Sequence, residues 1–354
     1  MTTLPGYRSN RIVELMQERG ERRDAHWLEE ALQQAAMLEL ATLPPYLCAM
    51  WSVKDQNAQV PKAIKRIVFD EMSHLGLVGN LLATIGGAPR LAGQDVVPVY
   101  PGPLPGGVRP GLVVSLSGMS KETAELFSRI EEPDEPLAEA RTHTSIGAFY
   151  SAILDAFRAR PDLITGGRQL VKDMAHHGEG NSIVAITSLA DVEQAIAVIK
   201  EQGEGTTASP ANPHPGPSPE LAHYYVFREI FRGRRLIKVS ENPDRWDFTG
   251  DEIPMPEAFP MATVPPGGWV TSGAAIPDPD TKVLLDQANR AYSTMLRALE
   301  KVWQTDDATV ADDLMTAAVI EMSRIKIAAL KLRTRQLSDG SGRTYGPEFL
   351  YTDA

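Results

Sequence analysis

Two segments of this sequence carry acidic and imidazole side chains where an amphipathic helix would place apolar ones. Glu39 lies within WLEEALQQAAMLELATLPPY, and Glu71 and His74 lie within IKRIVFDEMSHLGLVGNLL. At about 100° per residue, Glu39 and Glu71 each fall in the middle of an apolar face, and His74 is less than one turn from Glu71. Burial of an ionised carboxylate costs several kcal/mol unless it is paired or bound to a metal ion. The pattern therefore favours a metal site.

A second group of potential ligands lies on both sides of a loop centred near residue 212. Glu220 and His223 form another Glu-x-x-His, and Glu201 and Glu204 end the preceding helix. Because the two pairs are equally distant from the middle of the loop, the loop is expected to bring them together. Periodicity disfavours Glu201, which points away from the apolar face, whereas Glu204 lies between two glycines where the helix ends.

The two groups together match a recognised ligand set. A Glu from one helix, a Glu-x-x-His from the next, another acid and another Glu-x-x-His form carboxylate-bridged dimetal sites in helix bundles. Carboxylate oxygens with one imidazole per metal ion suit iron or manganese, and open positions would admit oxygen. The predicted chemistry is oxidation.

Simpler interpretations of single residues stay open. Glu71 and His74 could form a buried ion pair with a neighbouring Arg or Lys. His223 could be a core histidine that donates to a carbonyl. Glu220 stands in the first turn of its predicted helix, where an acid favours the helix dipole without any metal.

Further polar residues have weaker signals. A Gly-rich segment contains His176, His177 and Glu179, but adjacent histidines in such segments more often face solvent. Four tyrosines could carry redox chemistry or position a substrate, although packing in the core is favoured for them: Tyr46, Tyr150, Tyr224 and Tyr225.

The elements that must position these residues are predominantly helical. Helices over residues 26–53 and 61–86 form a predicted antiparallel pair, with Glu39 and Glu71 at the same height. Pro61 is expected as a first helical residue. Further helices are predicted at 121–131, 145–159, 187–202, 220–231, 281–303 and 308–336. The resulting division is an arm at 1–25, a bundle at 26–235, an irregular wrap at 236–280 and a C-terminal helical pair within 281–354, packed on the bundle.

Composition narrows the class of protein. The 354 residues include 46 acidic and 35 basic ones, for a net charge of -11, which argues against a nucleic-acid or anionic-membrane partner. A single cysteine, Cys48, excludes an intramolecular disulfide framework. The sequence has no signal-peptide core and no apolar run of membrane-spanning length. We expect a cytoplasmic protein.

Several motifs resemble one ferritin-like family, that of the iminophenyl-pyruvate dimer synthases, which includes oxidative coupling enzymes of violacein and rebeccamycin type. The resemblance covers about residues 25–350 and rests on LELATLPPYL, DEMSHLGLVGNLLATIGGAPRL, SIGAFY, IKEQGEG, ELAHYYVFREI, RWDFTGDEIPMPE, QANRAY and YGPEF. It implies a ferritin-like four-helix bundle that oxidises amino-acid-derived imines in secondary metabolism. It also implies that the metal ligands include Glu39, Glu71, His74, Glu204 and His223.

This sequence departs from the family pattern at two places. Relatives often have two acids before the x-x-His, where this chain has Asp70 and Glu71, and Ala148 stands where some members are expected to have an acid. If that position normally supplies a ligand, the site would hold one metal ion instead of two. The coupling enzymes are also far longer, so their substrate does not transfer to this chain.

The combined prediction is an all-α, ferritin-like four-helix bundle with a long irregular crossover, wrapping segments and two extra C-terminal helices. Its function would be that of a non-haem iron oxidoreductase that uses dioxygen or peroxide on a small imine or indole-like substrate. One or two irons per chain are expected, with manganese possible, and a homo-oligomer is possible. Glu201 and Glu220 would add bridging or supporting groups. The alternatives are an iron-storage protein and a metal-dependent hydrolase or isomerase that uses the same Glu and His residues.

Overall fold

The computed structural model describes residues 7, 9–133, 145–173, 182–206, 209–214, 220–273 and 275–353. The described residues are mostly helical, which confirms the all-α prediction. The helices are α1 (Arg11–Gln17), α2 (Ala25–Ser52), α3 (Gln59–Thr84), α4 (Lys121–Ile130), α5 (Ile146–Ala159), α6 (Leu189–Glu204), α7 (His223–Arg232), α8 (Gly268–Ser272), α9 (Pro279–Val302) and α10 (Ala308–Leu332). Two antiparallel strand pairs are described, β1 (Ala211–Asn212) with β2 (Glu220–Leu221) and β3 (Ile237–Glu241) with β4 (Asp244–Asp247).

Helices α2 and α3 form the predicted antiparallel pair. Glu39 of α2 lies beside His74 of α3, and Thr42 lies beside Glu71, so the residue numbers run in opposite directions along the contact. α3 begins at Gln59, two residues before the predicted start at Pro61. Proline is tolerated there because the first-turn N–H groups of a helix have no partner within the helix.

The remaining bundle helices pack in two pairs, α4 with α7 and α5 with α6. Three aromatic rings join α2, α4 and α7: the Tyr46 centroid lies 4.6 Å from that of Phe127 and 5.0 Å from that of Phe227. Ser188 and Asp191 form a capping box at the start of α6. The aromatic contacts hold α4 and α7 against α2.

One prediction for residues 220–280 was wrong. α7 begins at His223 and not at Glu220, because Ala222 has an extended backbone and Glu220 pairs with Asn212 in the short β1–β2 ladder. Glu220 and His223 therefore do not share a helix. Most of the segment at 236–280 lies outside helices and strands, apart from the β3–β4 pair, the short helix α8 and the start of α9.

The two C-terminal helices are present as predicted. The residue after α9, Trp303, donates its indole N–H to Asn80 Oδ1 of α3 at 3.0 Å. Arg333, which follows α10, donates to the Trp51 carbonyl oxygen of α2 at 2.6 Å. α9 and α10 thus rest on the α2–α3 pair.

Two further expectations from the sequence concern membrane-spanning helices and the group of His176, His177 and Glu179. Within the described ranges, no helix is both long enough and apolar enough to cross a membrane. His176, His177 and Glu179 lie outside the described residues.

Candidate metal centre

The first group of potential ligands lies between α2 and α3. His74 Nδ1 is 3.5 Å from Glu39 Oε2 and 3.7 Å from Glu71 Oε1. All three side chains are buried. One ligand atom from each lies within 4.8 Å of the others, so the three could hold one metal ion.

A second group shares a residue with the first. His223 Nδ1 of α7 is 2.9 Å from Glu71 Oε1, and Glu131, at the carboxyl end of α4, completes a second buried trio within 4.8 Å. Glu71 belongs to both trios. The two imidazole rings are nearly parallel, with centroids 5.8 Å apart. One carboxylate thus lies between two sites that each have one further acid and one histidine.

The outer nitrogen of each histidine is held by a second residue. His74 Nε2 lies 2.8 Å from Gln202 Oε1, an oxygen that can only accept, so Nε2 carries the proton. His223 Nε2 lies 3.3 Å from the Asp70 carboxylate, and the same argument applies. When neutral, both rings therefore turn an unprotonated Nδ1 toward the acids. This is how imidazoles that bind metal ions are oriented in proteins.

The inner nitrogen of His223 supports the same conclusion. Its Nδ1 is buried and has no hydrogen-bond partner among the described residues, although Glu71 Oε1 is 2.9 Å away. The angle between the two groups does not suit a hydrogen bond. A buried imidazole nitrogen without a hydrogen bond beside the carboxylate that both trios share means that the residues present fit a metal ion.

Each carboxylate is also held by a hydroxyl group. Thr42 Oγ1 lies 2.7 Å from Glu71 Oε2. The Tyr150 hydroxyl donates to Glu39 and the Tyr46 hydroxyl donates to Glu131, both through short hydrogen bonds. Burial raises the pKa of both phenols well above their usual value, so these hydroxyls stay protonated. Three hydroxyls therefore fix the three acids.

The acids and imidazoles of the cluster have pKa values that differ from their usual ones. Burial raises the pKa of Glu39 and raises that of Glu131 to about 8. Burial acts in the same direction on Glu71, but the imidazoles of His223 and His74 lower the pKa of Glu71 below its usual value. Burial opposes a charge on His74 too, yet Glu39 and Glu71 raise the pKa of His74 to about 9. Protons therefore neutralise part of the metal-free cluster, and a bound cation would displace them.

A small cavity of about 30 Å³ adjoins these residues, with room for about one water molecule. Glu204 lines it, and the Glu204 carboxylate accepts a hydrogen bond from the Gly147 backbone N–H at 2.9 Å. Lys200 also lines it and donates to Ser151 Oγ at 2.6 Å. The cavity reaches α5 and α6 from the Glu and His cluster.

Some of the residues predicted from the sequence lie together in the structure, and others do not. Glu39, Glu71, His74 and His223 come together, and Glu204 lines the adjoining cavity. Glu201 lies instead beside His214, with 2.7 Å between Glu201 Oε2 and His214 Nε2, and Glu220 forms an ion pair with Arg66 at 2.9 Å. Neither belongs to the two trios.

Sequence reasoning missed Glu131 and the roles of Asp70 and Gln202. Glu131 had a detectable signal, because it follows Ala124 and Phe127 by seven and four residues and so continues the apolar face of its helix. It also supplies the further acid for which Ala148 had seemed to be needed. The contacts of Asp70 and Gln202 with histidines more than a hundred residues away leave no local pattern.

Comparison with known proteins supports the same architecture. The model of a family described as Ferritin-like matches residues 32–232. No curated protein matches the chain. Among solved structures, a ferritin-like protein from Caulobacter vibrioides aligns with a TM-score of 0.61 at 19% identity, covering 92% of this chain and 97% of that one. At this identity the structural likeness shows the fold alone, and it agrees with the predicted all-α ferritin-like bundle.

Proposed function

This chain belongs to the ferritin-like family, and we propose that its buried Glu and His cluster is the dinuclear metal centre of an oxidoreductase. His74 and Glu39 would bind one ion, and His223 and Glu131 the other. Glu71 would bridge them. The single observation that carries this proposal is that Glu71 belongs to both trios of potential ligands.

The donor atoms favour iron, with manganese as a second choice. Two carboxylates, one of them shared, and one imidazole nitrogen per ion suit these metals better than zinc, for which thiolate and multiple imidazole ligands are common. Bound iron would supply electron transfer to dioxygen or peroxide.

The protein contributes order and the exclusion of water. Tyr150, Tyr46 and Thr42 hold the carboxylates, and Asp70 and Gln202 keep the proton of each imidazole on Nε2. Because every one of these groups is buried, their electrostatic interactions are stronger than in water. The ligands are therefore prearranged before any metal ion arrives.

We further propose that the substrate is a small, amino-acid-derived imine or indole-like molecule of secondary metabolism. The resemblance of LELATLPPYL, DEMSHLGLVGNLL and IKEQGEG to the imine-coupling family supports this substrate class. Lys200 would provide a positive charge for a substrate carboxylate at the edge of the small cavity. Because that cavity has a volume of only about 30 Å³, the substrate would meet the centre at its α5–α6 wall.

Metal analysis tests the proposal directly. The protein is stripped with a chelator, titrated anaerobically with ferrous iron, and then exposed to oxygen while its absorption is recorded. We expect about two irons per chain and an oxygen-dependent optical change. A single bound ion would reject the dinuclear centre. Elemental analysis of the protein as isolated, before the chelator is added, is the matching measurement, and zinc there together with no response of the iron-loaded protein to oxygen would favour a hydrolase or isomerase.

A further inference from the structure

A second and much larger cavity lies on a different face of the α2–α3 pair, between this pair and α9 and α10. Its volume is about 480 Å³. It shares no lining residue with the small cavity at the metal centre. The proposed dinuclear centre does not explain it, and protein interiors rarely leave voids of this size.

The walls of this cavity are apolar and adaptable. Most of the lining side chains are aliphatic, aromatic or methionine. Methionine adapts to ligands of different shape because it is unbranched and polarisable. The methionines in the walls are Met50, Met72, Met295, Met315 and Met322. A volume within 300–1,000 Å³ and mainly apolar walls are typical of sites for small molecules.

The charge around the cavity has one sign. Lys65 and Lys326 line it together with the amides Gln56 and Asn57, and none of the lining residues described is acidic. Lys326 and Asn57 are exposed, so this polar set reaches the surface. The wall thus contributes two positive charges in a chain whose net charge is -11. They favour a ligand that carries a negative charge.

Two hydrogen-bond donors in the walls lack a protein partner. The Trp51 indole N–H and the Tyr292 hydroxyl are buried, and neither has a hydrogen-bond partner within the described ranges. Both residues line the cavity and pack against the same ring, since the Phe349 centroid is 6.4 Å from that of Trp51 and 5.2 Å from that of Tyr292. A buried donor without a partner is unfavourable, because it has lost its hydrogen bonds to water. An oxygen atom of a ligand would remove that cost.

We propose that this cavity binds one anionic amphiphile, a molecule with an apolar body and a terminal carboxylate. The apolar body lies among the methionines and aromatic rings between α3 and α10. The carboxylate lies toward Lys65 and Lys326. This site is independent of the metal centre, because no residue belongs to both.

Isothermal titration calorimetry with dodecanoate tests the charge and the shape of the site. Dodecanoate is added below its self-association concentration, and dodecyltrimethylammonium serves as the probe with the same chain and the opposite charge. We expect saturable binding of one dodecanoate per chain and about fivefold weaker binding of the cation, the factor that corresponds to an exposed ion pair of about 1 kcal/mol.

Variants on one helix locate the site. Lys326→Glu is expected to weaken dodecanoate binding by about fivefold, whereas Lys331→Glu, outside this cavity on the same helix, leaves it unchanged. Met315→Trp fills part of the cavity and is expected to weaken binding at least tenfold. Should Met315→Trp fail to fold, the two lysine variants decide the question.

Three results would overturn the proposal. The first is the absence of saturable dodecanoate binding, and the second is equal binding by Lys326→Glu and Lys331→Glu. The third is a concentration-dependent dimer of the wild-type chain that Met315→Trp abolishes, which would make this face an interface between two copies. Iron content is measured in the same samples, and it should remain unchanged whatever the outcome.

Discussion

One face of the α2–α3 pair borders a cavity of about 30 Å³ lined by four carboxylates and an imidazole, whereas another face borders a cavity of about 480 Å³ with apolar walls and two lysines. In the small cavity every acid of the two trios has a hydroxyl partner, and Glu71 belongs to both trios. In the large cavity two donors have no partner within the described chain. The difference is the one expected if, as proposed, one face holds ions at fixed positions and the other a ligand of adaptable shape.

Because the ferritin-like fold supplies only the helices, this division depends on single residues. Glu39 and Leu40 are neighbours in α2, yet the first lines the small cavity and the second lines the large one. One residue corresponds to about 100° of helix rotation, which is enough to change the face. The comparison can therefore be tested by changing individual side chains.

The largest effect is expected from Glu71→Ala. Because Glu71 belongs to both trios, its loss should reduce the iron content from about two per chain to nearly none, with the helical circular dichroism retained. Elemental analysis after ferrous loading measures this. Glu201→Ala is the matched control and should keep both ions, since Glu201 contacts His214. Retention of both ions by Glu71→Ala would reject the bridging role.

A smaller loss is expected from Asp70→Asn. This change keeps the size of the side chain but removes the charge that orients His223, and the loss of such a partner typically weakens metal binding about 10- to 100-fold. Anaerobic competition with a chromophoric ferrous chelator measures the affinity. Glu220→Gln is the control, because Glu220 pairs with Arg66 outside the cluster. Equal affinities of the two variants would show that Asp70 does not support the site.

What the sequence could predict of these two faces depends on how far apart in the chain the interacting residues lie. Helical periodicity acts over a few residues, so it identified Glu39, Glu71 and His74 as residues that a helix must bury. It also identified the α2–α3 pair, because a short turn between two long amphipathic helices forces them to lie antiparallel. His223 was found by the same argument, even though its helix begins three residues later than predicted.

The sequence could not reveal interactions between distant segments. The contact between Asp70 and His223 joins residues 153 positions apart, and no local pattern encodes it. The Glu220 prediction failed because helix propensity cannot show that Glu220 pairs with Asn212 in a strand. The large cavity was missed for a related reason, since a void depends on how α9 and α10 pack on α2 and α3.

The pH dependence of stability provides a third test, restricted to the metal centre. The pKa of His74 is raised to about 9 and that of Glu131 to about 8, so the folded metal-free protein holds protons that the unfolded chain has lost at neutral pH. The stability from His74 is fully present below pH 6.5 and is lost as pH rises through about 9. The unfavourable ionisation of buried Glu131 acts in the same direction. Both effects therefore reduce stability as pH rises.

We expect the melting temperature of chelator-treated protein to fall by roughly 3 to 6 °C between pH 7 and pH 9.5. Metal-loaded protein should show a smaller decrease, because the bound cations have already displaced these protons. Thermal unfolding followed by circular dichroism compares the two forms. A metal-free protein that becomes more stable over this range would contradict the assigned charges.

The smallest effect is expected from a pair of glycines in α3. A Cβ atom at Gly79 would lie 2.4 Å from Trp303 Cζ2. The Trp303 ring is held in place by its hydrogen bond to Asn80. Gly79→Ala should therefore lower the free energy of unfolding by about 1–3 kcal/mol. A Cβ atom at Gly76 would lie equally close to Ile183 Cδ1. Ile183, however, lines the large cavity and can rotate into it. Gly76→Ala should therefore change stability by less than about 1 kcal/mol, since the gain in helix propensity offsets the movement.

Urea denaturation of the two glycine variants compares the tight and the adaptable side of one helix under identical conditions. The two substitutions are chemically the same and lie three residues apart, so they share helix propensity and differ only in what the new methyl group meets. Similar losses of 2 kcal/mol or more in both, on the scale set by overpacking, would mean that the large cavity is rigid and cannot yield to a side chain. A rigid cavity would also fit fewer ligands, and dodecanoate would then need a close match in shape to bind.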